Sequence, residues 1–123
     1  MSDAGAAPAA ERPGFASLVA DFVGVPAAQL RDGARLSGLM VAAAIAAGLN
    51  ASGAPLVRYH PDGGLTALVL LDGSHMSLHT FPDRGLMLLD VLAASPHDPR
   101  RALDVFVRRL EAREVRTEQR DRG

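Results

Sequence analysis

Ser74, His75 and His79 are the residues of this chain whose types and spacing could do chemistry. The Ser74 hydroxyl follows Gly73, so it lies beside a peptide carbonyl that little side-chain bulk protects. On a strand with a side-chain period of two, His75, Ser77, His79 and Phe81 share one face, while Met76, Leu78 and Thr80 share the other. The first face carries groups that donate, accept or hold a proton, and the second is fit for a core. The chain has no cysteine, which removes thiolate nucleophiles, disulfides and thiolate metal sites, so serine and histidine must carry any chemistry. His75 and His79 also form a pair for a metal, but without a third ligand two histidines are weak evidence.

The elements that hold these residues are legible from periodicity and punctuation. Residues 68–71 are an unbroken apolar run, Asp72-Gly73 is a turn dipeptide, and the alternating strand after it closes at Pro82, which together predict a hairpin. Upstream, residues 15–23 predict a first strand stopped by Gly24-Val25-Pro26, and residues 27–30 a helical turn. Residues 34–47 place Leu36, Leu39, Met40, Ala43 and Ala47 at helical spacing, with Gly48 and Asn50 as the stop. A short extended stretch follows at 55–59, broken by Pro61-Asp62-Gly63-Gly64. Residues 86–93 predict a strand. Asp98 as N-cap and Pro99 at the first helical position open a second helix with an apolar stripe of Leu103, Phe106, Val107 and Leu110. Arg100, Arg101, Arg108 and Arg109 read as its solvated face, and a short strand near 115–118 precedes a charged tail. This order predicts an α+β two-layer sandwich, a mainly antiparallel sheet with two helices on one face.

A chain of 123 residues fits one domain that buries about two thirds of its unfolded surface. Residues 1–14, rich in Ala, Gly and Pro, are expected to be a disordered tail ahead of a domain at 15–123. With 13 basic and 14 acidic residues the net charge is -1, so no general basic field recruits nucleic acid or anionic lipid. All the cations are arginine, a composition bias rather than a function. No apolar run reaches the roughly 18 residues of a membrane span, and the start lacks a basic segment followed by an apolar one. The expectation is a cytoplasmic protein without membrane or nucleic-acid partners.

The stretch from Gly64 to Asp83, reading Gly-x-Thr-x-x-x-Leu-Leu-x-x-Ser-His-x-Ser-x-His-Thr-Phe-Pro-Asp, resembles the motif of the bacterial S-adenosylmethionine decarboxylases, usually Glu-Ser-His-x-x-x-His-Thr-Trp-Pro-Glu. Asp21-Phe22-Val23-Gly24, Asp90-Val91 and the Arg122-Gly123 ending are family-like too, so the resemblance covers residues 15–123. It implies a proenzyme that makes its own cofactor. The Ser74 hydroxyl attacks the carbonyl of Gly73, the resulting ester undergoes β-elimination, and the chain breaks between Gly73 and Ser74 to leave a pyruvoyl group. That carbonyl would take the substrate amine as a Schiff base and act as an electron sink while carbon dioxide leaves. By the same resemblance Thr66 is the processing hydroxyl and His79 the processing base. Phe81 flanks the adenine and sulfonium, Asp83 accepts ribose hydroxyls, Met76 contacts the base through its backbone, and His60 falls near the second adenine-flanking aromatic. The product would be the aminopropyl donor of spermidine and polyamine synthesis, made by a homodimer of processed chains.

The chain also departs from that pattern. Gly73 replaces the usual Glu before the serine, Ala94 stands where the family has a proton-donating cysteine, and Phe81 and Asp83 replace Trp and Glu. Two other readings share the same residues. One is a pyruvoyl enzyme of the same fold that decarboxylates arginine or ornithine, and the other is an unprocessed paralogue that regulates an active partner.

Overall fold

The computed structural model describes residues 14–123. The tail expected at 1–14 therefore lies outside the described residues except for Gly14, whose N–H donates to the Gly123 carbonyl at 3.0 Å and whose carbonyl accepts from Ser95 N–H at 2.9 Å.

Strand β1 (Phe15–Val23) leads through a helical turn α1 (Ala27–Leu30) into helix α2 (Gly33–Ala46). Next come β2 (Leu56–Tyr59), β3 (Leu65–Leu71) and β4 (Ser74–Phe81). A 3-10 turn (Pro82–Arg84), β5 (Leu86–Ala94), helix α3 (Pro99–Arg109) and β6 (Glu114–Arg122) complete the chain. The strands form one sheet in the order β2-β3-β4-β5-β1-β6, with every neighbouring pair antiparallel. β2 to β5 is a meander, and β1 closes it by inserting between β5 and the last strand.

Both long helices cover one face, as the α+β sandwich requires. Leu36, Leu39, Met40, Ala43 and Ala44 of α2, and Ala102, Leu103 and Phe106 of α3, share a single buried cluster with Leu18, Phe22, Val69, Met76, Leu78, Leu89 and Val91 from the sheet. Phe106 meets Phe22 edge to face at 6.4 Å between ring centroids. Asp32 caps α2 by accepting from Arg35 N–H at 3.0 Å, and Gly33 N–H donates to the Tyr59 hydroxyl at 3.1 Å. Asp98 caps α3 from Arg100 N–H at 2.9 Å with Pro99 at the first helical position, as predicted.

Two details differ from the sequence reading. Val107 is 43% exposed and does not join the stripe, because the buried arc centres on Phe106 and the next residue turns about 100° away from it; Ala102 fills the arc instead. The last strand spans nine residues rather than four. It pairs with β1 from Val23↔Glu114 to Phe15↔Arg122, so the backbone ladder holds it although only Val115 is half-buried. The Arg116–Glu114 ion pair there, at 2.8 Å, holds the Glu114 carboxyl below its usual range, and full exposure keeps its contribution small.

Thr80 is the one buried polar residue among the described core positions. Its hydroxyl donates to the Leu30 carbonyl at 2.7 Å and accepts from Leu65 N–H at 2.9 Å, tying α1 and the start of β3 to β4. Gly64 beside it has no room for a side chain, because a Cβ would strike the Thr80 carbonyl. The opposite face of the sheet carries no helix. It exposes Leu56 (63%), Leu70 (51%) and Val19 (41%), with Leu68, Leu88 and Leu92 half-buried between them.

Candidate active site

The β3–β4 hairpin turns on Asp72 and Gly73, pairing Leu71 with Ser74. Gly73 has φ +72°, the left-handed value that the third position of a type II turn demands, and no side chain other than hydrogen adopts it freely. The glutamate of the usual motif would be strained at this φ, although a Cβ would meet nothing nearby. Residues 50–52 pin the turn from the side. Asp72 N–H donates to the Asn50 carbonyl at 3.1 Å, Ser52 N–H to the Leu70 carbonyl at 2.7 Å, and the Ser52 hydroxyl to the Asp72 carboxylate at 3.3 Å. The sequence reading assigned nothing to Ser52; a polar residue spaced from Asp72 by a strand is a signal too common to single it out.

Ser74 begins β4 at this pinned corner. Its Oγ is buried and has no hydrogen-bond partner among the described residues. Leaving a buried hydroxyl unpaired costs about 1–3 kcal/mol, so folded chains rarely tolerate it outside sites where the group reacts. A serine hydroxyl free of competing bonds, one residue from a glycine carbonyl on a constrained turn, fits the precursor of a chain-derived carbonyl cofactor. A shallow depression of about 550 Å³ borders the corner, lined by Leu68, Leu70, Gly73, Ser74, His75, Ser77 and Leu92.

The faces of β4 fall as predicted. Met76, Leu78 and Thr80 are buried under the helices, and His75, Ser77 and Phe81 are half-buried on the other side with His79 exposed beside them. The Met76 side chain is buried, and its position pairs with Val69 of β3 and Val91 of β5. Opposite His79 across the ladder stands Thr66. The Thr66 Oγ1 lies 2.7 Å from His79 Nδ1 and 2.8 Å from His60 Nε2, so one hydroxyl joins two imidazoles. His60 reaches it because the β2–β3 turn brings His60 N–H onto the Gly64 carbonyl at 2.7 Å, two residues short of Thr66. The sequence reading placed His60 in an adenine sandwich and missed this bond. The signal for it was there, since the tight break at 61–64 makes residues on its two sides cross-strand neighbours.

Phe81 ends β4, and Asp83 follows in the exposed 3-10 turn. The Asp83 carboxylate faces Arg31 at 3.5 Å, a contact between two exposed side chains that the sequence could not reveal.

The structure sorts the candidates into two groups. Gly73, Ser74 and His75 lie at one end of the sheet, and Ala94 joins them because the register sets His75 opposite Leu92. His60, Thr66, His79, Phe81 and Asp83 gather at the other end. Ser74 and His79 stand five positions apart on β4, about 16 Å at the usual rise. No cluster of three or more His, Cys, Asp or Glu able to hold a metal occurs among the described residues.

A family model described as S-adenosylmethionine decarboxylase matches residues 16–123. The S-adenosylmethionine decarboxylase proenzyme of Brevibacillus brevis is 36% identical over 91 residues, 73% of this chain and 68% of that one. The proenzyme of the same name from Aquifex aeolicus is 30% identical over 107 residues, 86% of this chain and 78% of its own. A shorter match joins the Pyrobaculum neutrophilum proenzyme, 41% identical over 59 residues, and spans about half of each protein, 47% of this chain and 48% of that one. Among solved structures, the adenosylmethionine decarboxylase from Aquifex aeolicus VF5 superposes with a TM-score of 0.83 at 26% identity, covering 91% of this chain and 92% of the other.

Proposed function

The chain belongs to the S-adenosylmethionine decarboxylase family, and from that premise we propose that it is a self-processing, pyruvoyl-dependent carboxy-lyase acting on S-adenosylmethionine. Its product would feed spermidine synthesis as the aminopropyl donor. The observation that carries this reading is the buried, unpaired Ser74 Oγ beside the Gly73 carbonyl on a left-handed turn.

Processing needs three things from the chain: a free hydroxyl, an exposed carbonyl and a base. Ser74 Oγ attacks the Gly73 carbonyl carbon, the Ser74 nitrogen departs as an amine, and an ester links the two residues. A base then removes the Ser74 α-proton, the Cβ–O bond breaks, and Gly73 leaves as a carboxylate. Hydrolysis of the new N-terminus releases ammonia and leaves the pyruvoyl group at position 74. When formed, that group supplies a carbonyl that holds the substrate amine and draws electrons from the α-carbon during decarboxylation.

The base in this reading is His79, as the resemblance implies, and its distance from Ser74 along β4 supports a site shared between two copies. Within one chain it lies about 16 Å along the strand from Ser74, too far for proton transfer. Two copies stacked through their open faces, head to tail, set the His79 end of one against the Ser74 end of the other. The aliphatic band of Leu56, Leu68, Leu70, Leu88, Leu92 and Val19 gives that contact its apolar area. Phe81 offers a π face to the sulfonium, and Asp83 accepts ribose hydroxyls once Arg31 yields. Among the described residues no helix is long and apolar enough to cross a membrane, and the proposed setting is the cytoplasm.

A second substrate class is favoured by one observation: Arg31 lies 3.5 Å from Asp83 Oδ1 and Thr66 bonds His60, so both positions that the resemblance assigns to the adenosyl group already have a partner within the chain. Arginine or ornithine would not need them. The test measures labelled carbon dioxide released from carboxyl-labelled S-adenosylmethionine, arginine and ornithine by the purified protein and by Ser74→Ala. Release from S-adenosylmethionine alone, lost in Ser74→Ala, supports the proposal. Release only from another amino acid replaces its substrate, and equal release by both proteins refutes the mechanism.

A further inference from the structure

Thr66 carries one hydroxyl proton, yet its Oγ1 bonds two imidazole nitrogens, His79 Nδ1 at 2.7 Å and His60 Nε2 at 2.8 Å. It can donate to only one ring, so at least one ring must donate to it, and whenever the hydroxyl proton lies in one of these two bonds the rings hold complementary states. When His60 Nε2 accepts, His79 Nδ1 carries a proton and donates, and His79 Nε2 presents a lone pair. When His60 Nε2 donates, His79 Nδ1 accepts, and the proton of a neutral His79 sits on Nε2. From this geometry we infer that His60 is the terminal proton store of a His60–Thr66–His79 relay, a positioning residue that sets whether His79 Nε2 is a base or an acid.

This inference rests on the processing reading above and deepens it. In processing, His79 Nε2 takes the Ser74 α-proton, the Nδ1 proton passes to Thr66 Oγ1, and the Thr66 proton passes to His60 Nε2. Three protons move by one place each, and the positive charge ends on the His60 imidazolium rather than on His79. Run backwards, the same shifts release a proton from His79 Nε2 to the substrate carbon that has lost carbon dioxide. Ala94 offers no proton at its own position, so a relay that works in both directions accounts for the absent donor. On this face Asp21 of β1 stands opposite Leu88, the neighbour of His79, and β6 adds Arg116, Glu118 and Arg120. Arg58 on β2 stands opposite Thr66, and Asp90 on β5 stands opposite Ser77. Asp62 in the turn is held by Gly64 N–H at 2.9 Å, and His75 lies toward the far end of β4.

The test uses nitrogen-15 histidine spectra of the full-length, uncleaved Ser74→Ala protein across neutral pH, with His60→Phe and His60→Gln added in turn. The relay predicts that the proton on His79 moves between Nδ1 and Nε2 in step with the charging of His60. In His60→Phe this step disappears, and in His60→Gln the hydrogen bond persists while His79 no longer follows the pH of that step. Unchanged His79 tautomers in both variants would overturn the inference. In the chain with Ser74 intact, His60→Phe should slow self-cleavage about ten-fold and flatten its pH profile, an effect smaller than loss of the base itself. Equal cleavage rates and profiles would also overturn it. If the parent chain never cleaves, the processing reading fails, and the spectra still decide whether the relay exists.

Discussion

Ser74 and His79 lie five positions apart on β4, about 16 Å at the usual rise, with Ser74 at the corner that starts the strand and His79 near its far end. On the proposed reading, the His79 of one copy therefore acts on the Ser74 of another. This predicts complementation. His79→Ala and Ser74→Ala should each remain whole when expressed alone, and co-expression should restore cleavage of the His79→Ala chain only. Mass spectrometry of the mixed dimers identifies the cut chain; cleavage of neither would remove the shared site.

The unpaired Ser74 hydroxyl should leave a mark on stability. In the uncleaved His79→Ala background, adding Ser74→Ala removes a buried polar group with no bond to lose, and the gain should be about 1 kcal/mol. Urea unfolding of the two proteins measures it as a higher midpoint at equal slope. A loss of stability would mean that Oγ has a partner in solution.

Thr80 makes the contrasting case, a buried hydroxyl that is fully used. Thr80→Val keeps the shape and strands the Leu65 N–H and the Leu30 carbonyl, at a cost of about 2–4 kcal/mol. The same unfolding measurement applies, and a change under 1 kcal/mol would contradict the assignment of those two bonds.

Arg31 should tune substrate binding rather than stability, because both it and Asp83 are exposed and their attraction is screened. Arg31→Ala frees the Asp83 carboxylate and removes a cation facing a cationic substrate. The expected result is a KM for S-adenosylmethionine lowered about two- to five-fold with kcat unchanged, an effect of under about 1 kcal/mol. A raised KM would show that Arg31 itself holds the substrate.

The sequence made β1 and the two faces of β4 legible because burial there follows strict alternation, and Asp98-Pro99 marked the start of α3 through cap chemistry. It did not reveal the length of β6, whose exposed Arg and Glu residues are held by backbone bonds to β1 that leave no hydrophobic pattern. The site was legible as residue types and not as geometry. Ser74, Thr66 and His79 stand out by their motif, but only the strand register shows that Thr66 pairs with His79 and that both lie at the far end from Ser74. The His60 bond to Thr66 was hidden for the same reason, since its partner lies across a turn and the bond depends on which face the ring takes.

Everything proposed about catalysis depends on the bond between Gly73 and Ser74. Intact-mass measurement of the purified protein under denaturing conditions examines that bond directly. The account predicts two fragments, residues 1–73 and 74–123, the second beginning with a carbonyl that reacts with hydrazide, and a single uncut chain for Ser74→Ala. A wild-type chain that stays whole and takes up no hydrazide would contradict it.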